Sequence, residues 1–136
     1  MTEENLTKND DLTCRVLIVD DDAPIRILLK AILEGFGTEV VAEAENGEEA
    51  IRAFDEYKPD LMFLDIQMPV KDGKDALKEI LERHPAAQIV MLTATSDMKV
   101  ADACIERGAR SYIRKGAAPN ALSLMVKAQI DSFRAG

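Results

Sequence analysis

At 136 residues and a net charge of -8, the chain is long enough for one hydrophobic core and lacks the positive surplus of a nucleic-acid-binding face. Hydrophobic residues at 47% and charged residues at 31% are a globular balance, and no run approaches the roughly 20 apolar residues of a membrane span. Two cysteines, Cys14 and Cys104, fit neither a disulfide framework nor a zinc site, and there is no signal peptide, so buried thiols in the cytoplasm are expected.

Residues 1–13, MTEENLTKNDDLT, show no apolar period and read as a flexible lead-in to a domain over 14–134. Arg15 to Val19 is a β-branched run that stops at Asp20-Asp21-Asp22. Asp22 is expected to cap or turn into the helix that Pro24 opens, whose apolar face is Ile25, Leu28, Leu29, Ile32, Leu33 and Phe36, with Gly35 and Gly37 ending it. The spacing predicts a second strand over 38–42, of edge character because Glu39 and Glu43 break its apolar run. Asn46-Gly47 opens a helix with Ala50, Ile51, Phe54 and Tyr57 inward, stopped by Pro59.

The third strand is Leu61-Met62-Phe63-Leu64, apolar on both faces until Asp65, and Pro69 with Asp72-Gly73 turns the chain. A helix over 74–84 closes at Pro85, and residues 88–93 form a fourth strand that is apolar until Thr93. A helix over 97–107 and a short strand over 111–114 ending at Lys115 follow, then a last helix over 119–134. His84, the only histidine, is expected to be exposed and structural, and the methionines show no stripe and read as core fillers.

Strands alternating with helices demand a mostly parallel sheet covered on both faces, with all strands ending on one edge. That geometry gathers Asp20, Asp21, Asp65, Thr93 and Lys115. Converging carboxylates repel one another, which raises a proton affinity or recruits a cation. All-oxygen ligands suit a hard ion such as Mg²⁺, and a lysine with a hydroxyl suits phosphoryl oxygens. A carboxylate can itself be the nucleophile, so the set points to metal-assisted phosphoryl transfer onto Asp65.

VLIVDDD, LMFLDIQMP with DG after it, MLTAT and SYIRK, in this order and spacing, resemble the signature segments of response-regulator receiver domains. The resemblance covers about residues 14–134 and implies a flavodoxin-like, doubly wound, five-stranded parallel sheet in the order 2-1-3-4-5. It implies that Asp65 is the phosphoacceptor and that Asp21, Asp65 and the Gln67 backbone carbonyl ligate Mg²⁺, with Asp20 reaching the metal through water. Thr93 matches the hydroxyl that moves to the phosphoryl group, Lys115 its pairing lysine and Tyr112 the aromatic switch. Gln67 and Thr95 fall where the family varies its dephosphorylation rate.

One departure is Gly116, where the family usually places a proline after the lysine in a cis bond. A cis bond without proline costs about 2.5–4 kcal/mol, so a trans bond is expected. With one structural histidine, any phosphohistidine belongs to a partner, a histidine kinase or phosphotransfer protein.

On the last helix, Leu122, Met125, Val126, Gln129, Ile130 and Phe133 form the core arc, while Ala121, Leu124 and Ala128 widen the weakly polar surface. That suggests a docking or dimer face shared by helix four, strand five and helix five. No output domain follows helix five, so a stand-alone regulator or an excised domain is expected. The alternatives are a phosphate-independent receiver-like interaction module and an Asp-nucleophile phosphatase, the latter disfavoured by Gln67 where a second Asp would act as general acid. A nucleotide site is disfavoured because no GxGxxG or P-loop opens a helix.

Overall fold

Five apolar segments find their hydrogen-bond partners in one another. β1 (Arg15–Val19), β2 (Glu39–Ala44), β3 (Leu61–Asp65), β4 (Ile89–Thr93) and β5 (Ser111–Arg114) pair in parallel in the order β2-β1-β3-β4-β5. The computed structural model describes residues 13–136, so the expected lead-in, apart from Thr13, lies outside the described residues. The connections are α1 (Ala23–Gly35), α2 (Gly47–Tyr57), α3 (Gly73–Arg83) and α4 (Met98–Glu106), with α5 (Pro119–Ala135) last.

Side chains alternate across the sheet and divide the core into two layers. Val16, Ile18, Phe63 and Leu92 pack with Leu29 and Leu33 of α1 and Leu122, Val126 and Ile130 of α5. Leu17, Val19, Met62, Leu64 and Met91 pack with Ile51 and Phe54 of α2, Leu77 and Ile80 of α3, and Ala101 and Cys104 of α4. Both cysteines are buried free thiols, and burial pushes Cys14 up to about 11, which keeps it unreactive. β1 lies between β2 and β3, where the winding reverses, so a crevice opens beyond the carboxyl ends of β1 and β3.

Several boundaries differ from the sequence pattern for local reasons. β2 runs on to Ala44 because its ladder with β1 continues through Val19↔Ala44, and the Asp20 N–H then donates to the Ala44 carbonyl at 3.1 Å. Before α4 the chain makes a 3-10 turn, Thr95–Asp97, so the α-helix starts one residue later than expected. Asp22 sits at the N-cap of α1, but its side chain makes no capping bond; its carbonyl accepts from Ile25 and Arg26 instead. Asn46 and Asp72 do cap, accepting from the N–H groups of Glu49 and Asp75 at 2.9 Å each.

His84 is half-buried rather than exposed. Its ring lies 4.8 Å from that of Phe54, and Nε2 is 2.7 Å from Asp55 Oδ1, so it ties α3 to α2. No peptide bond among the described residues is cis, so Lys115–Gly116 is trans, as the missing proline implies.

Gly73 opens α3 directly against the end of β3. Its N–H donates to the Ile66 carbonyl at 2.7 Å, and a Cβ there would stand 1.9 Å from the Asp65 carbonyl oxygen. Gly116 has nothing within 4 Å of such a Cβ. Gly73→Ala is therefore expected to destabilise the protein by about 2 kcal/mol or more in urea unfolding, and Gly116→Ala by less than about 0.5 kcal/mol.

Candidate functional site

Each group at the carboxyl edge is delivered by the residue at which an apolar strand ends. Asp20 and Asp21 follow β1, Asp65 closes β3, Thr93 closes β4 and Lys115 follows β5. Asp20, Asp21 and Asp65 each offer a carboxylate oxygen, and these lie within 4.8 Å of one another. Lys115 Nζ stands 3.0 Å from Asp20 Oδ2 and 2.9 Å from Asp65 Oδ1, although 95 residues separate Lys115 from Asp20.

The two buried acids differ in what remains to be satisfied. Asp20 Oδ1 accepts from the Asp22 N–H at 2.9 Å and Oδ2 meets Lys115, so both oxygens are engaged. Asp65 is 2% exposed, and its Oδ2 is buried with no hydrogen-bond partner among the described residues. A buried carboxylate oxygen without a partner is costly in a finished structure and marks a place for another group. Burial pushes the Asp65 carboxyl up to about 7, the Lys115 bond opposes this, and Asp20 and Asp21 reinforce it. Burial lowers Lys115, but its bonds to Asp65 and Asp20 outweigh that and hold it above its usual value.

The pocket opens to solvent through a cleft of about 430 Å³ lined by Asp21, Gln67, Met68, Pro69 and Asp72. Thr93 is buried at the end of β4, but its hydroxyl donates to the Ala94 carbonyl at 2.9 Å. Tyr112 is half-buried on β5, against the core layer beneath α2, α3 and α4. Gln67 lines the cleft while its side-chain amide reaches away, donating to Asp97 Oδ1 at 2.9 Å. Thr95 lies in the 3-10 turn before α4.

Three positions that the sequence pattern did not single out shape the site. Arg26 of α1 donates to the Asp20 carbonyl at 2.6 Å and pairs with Glu43 at 3.2 Å. Asp97, 7% exposed, receives the Gln67 amide, and Lys71 anchors the β3–α3 loop. No motif signals them, since each also depends on a partner in another element: Glu43 for Arg26, Gln67 for Asp97 and Glu48 for Lys71.

The residues fit a hard cation. The donors are all oxygens, the cluster is acidic with one ammonium, and one buried carboxylate oxygen is unsatisfied. A doubly wound sheet with a lysine-bridged acid cluster beside its switch point defines a receiver-type signalling domain. The chain belongs to the response regulator receiver domain family, whose pattern matches residues 16–127.

The chain is 46% identical over 101 residues to the chemotaxis protein CheY of Bacillus subtilis, covering 74% of this chain and 84% of that one. The response regulator domain of Thermotoga maritima CheB superposes with a TM-score of 0.83 at 28% identity, covering 91% of this chain and 98% of that one. The CheX-CheY-BeF3-Mg²⁺ complex from Borrelia burgdorferi matches with a TM-score of 0.78 at 29% identity, covering 85% and 88%. Among the described residues no helix is long and apolar enough to cross a membrane.

The raised Asp65 carboxyl carries a pH signature in metal-free protein. Its folded value of about 7 exceeds the ordinary 3.8, so its burial penalty is absent below about pH 4, grows between about 4 and 7, and is complete above. Asp65→Asn should therefore stabilise the protein in EDTA by roughly 2–4 kcal/mol near pH 8, as read by urea unfolding. That gain should shrink steadily as the pH falls toward about 4.

Proposed function

We propose that the protein is a phosphorylation-activated switch of a two-component phosphorelay, in which Asp65 accepts a phosphoryl group from a partner histidine kinase or phosphotransfer protein. The observation that carries this reading is the unpartnered Asp65 Oδ2, buried beside Lys115 and two further acids. That oxygen attacks phosphorus, the bond from phosphorus to the donor imidazole nitrogen breaks, and its electron pair leaves on that nitrogen. Lys115 offsets the charge on the transferred group, as it already bridges Asp65 and Asp20.

Asp21, Asp65 and the Gln67 backbone carbonyl would hold Mg²⁺, and Asp20, with both oxygens engaged, would act through water. When bound, the ion neutralises the converging acids and draws in phosphoryl oxygens. The Mg²⁺ and BeF3 named with the Borrelia burgdorferi relative support the same ligand chemistry here.

Switching would begin at Thr93, whose hydroxyl exchanges the Ala94 carbonyl for the phosphoryl group, and Tyr112 would move into the space beneath. The readout face is that of α4, β5 and α5. Leu124 of α5 is 68% exposed and Ile105 of α4 is 36% exposed, with Ala121 half-buried and Ala128 exposed on α5. A downstream protein or a second copy of the chain would dock there.

Incubation with acetyl phosphate and Mg²⁺, followed by intact mass, should show one added phosphoryl group on wild type and none on Asp65→Asn. Equal labelling of both removes Asp65 from this role. Ala121→Glu with Leu124→Glu should leave that labelling intact and weaken any phosphorylation-dependent self-association seen by sedimentation velocity. Unchanged sedimentation of a wild-type dimer would exclude this face as its interface.

A further inference from the structure

The β3–α3 loop, residues 66–72, carries the Gln67 carbonyl and walls the acidic cleft, yet its course is unusual. Val70 has a φ of 69°, a left-handed conformation that a β-branched residue rarely adopts, and is 80% exposed, so no packing of its own side chain holds it there. Across it the Lys71 N–H donates to the Pro69 carbonyl at 2.7 Å, closing a tight three-residue turn. Such a turn persists only when its surroundings over-determine it.

Lys71 supplies that determination. Its Nζ is forked between Glu48 at the start of α2, 3.0 Å away, and Glu79 of α3, 2.7 Å away. Its carbonyl accepts the Gly47 N–H at 2.8 Å, and the contact is close enough that a Cβ on Gly47 would lie 2.4 Å from that oxygen. Backbone and side chain of one residue thus bolt the loop to α2 and α3, four positions after Gln67. Gly73 closes the far end against Ile66.

We propose that Lys71 is a positioning residue for divalent-cation binding: it holds the β3–α3 loop so that the Gln67 carbonyl faces the acid cluster. The inference rests on the reading of this pocket as a Mg²⁺ site and deepens it. Charge and position predict opposite signs. Removing a positive charge near an acidic pocket favours a cation by electrostatics alone, whereas loosening the loop disfavours it.

The test compares wild type, Lys71→Met, Lys71→Arg and Gly47→Ala by Mg²⁺ titration calorimetry, with thermal unfolding in EDTA alongside. Lys71→Met should raise the Mg²⁺ Kd roughly tenfold, and Lys71→Arg should restore it, with metal-free Tm values within about 2 °C of wild type. Gly47→Ala, which changes no charge, should weaken binding in the same direction if it folds; if it does not, Lys71→Met decides alone.

An unchanged or tighter Kd in Lys71→Met overturns the inference while leaving the Mg²⁺ site standing. Failure of Lys71→Arg to recover binding, or a loss of affinity matched by a fall in metal-free Tm, also overturns it, because Lys71 would then serve general stability. Wild type that binds no Mg²⁺ rejects the metal reading itself, and the inference falls with it.

Discussion

The structure turns on three carboxylates held together against a single ammonium at one edge of a parallel sheet. Asp20, Asp21 and Asp65 each bring a carboxylate oxygen to within 4.8 Å of the others, and Lys115 pairs with Asp20 and Asp65. Such a cluster is unfavourable in an otherwise finished protein, because like charges repel and burial withholds the water that would screen them. Parallel pairing leaves no choice, since each strand must deliver its terminal residue to the same edge. The strain is concentrated on Asp65, whose carboxyl stands near 7 with one oxygen unsatisfied. That imbalance, an acidic cluster with one unsatisfied buried oxygen, is what the proposed binding of a cation and a phosphoryl group rests on.

The loops around the cluster are held by ion pairs that converge on the turn between β2 and α2. Arg26 grips the Asp20 carbonyl and pairs with Glu43, which lies in β2. Lys71 grips Glu48 at the start of α2 and takes the Gly47 N–H on its carbonyl. Glu43 of the edge strand and Glu48 of α2, which look like solvated surface in the sequence, thus brace the two loops that line the pocket. On the other side, the Gln67 amide donates to Asp97 at the entrance to α4, so the loop beside the acids is tied to that helix as well.

Much of this was legible because it depends on periodicity and on where apolar runs stop. The runs ending at Asp20, Asp65 and Thr93 marked strands and candidate site residues together, and β2 showed its edge position through Glu39 and Glu43. Local boundaries were less legible. β2 continued to Ala44 because β1 offered further hydrogen bonds, and Asp22 occupied a cap position without its side chain capping, because its own carbonyl takes the Ile25 and Arg26 N–H groups and Pro24 has none to offer. His84, the lone histidine before a proline, looked solvent-facing, but Asp55 and Phe54, about thirty residues earlier, draw its ring inward.

What the chain declares unaided is the alternation of strands and helices, the parallel sheet that alternation requires, and the list of acids, hydroxyl and lysine that the sheet gathers. Those follow from spacing along the chain, which any reader of the residues can measure. Only the folded arrangement decided which carboxylate oxygen is left without a partner, that Thr93 turns toward Ala94, and that Lys71 rather than any motif residue pins the cleft wall. Such matters depend on distances between residues far apart in sequence, and those distances exist only once both core layers have packed.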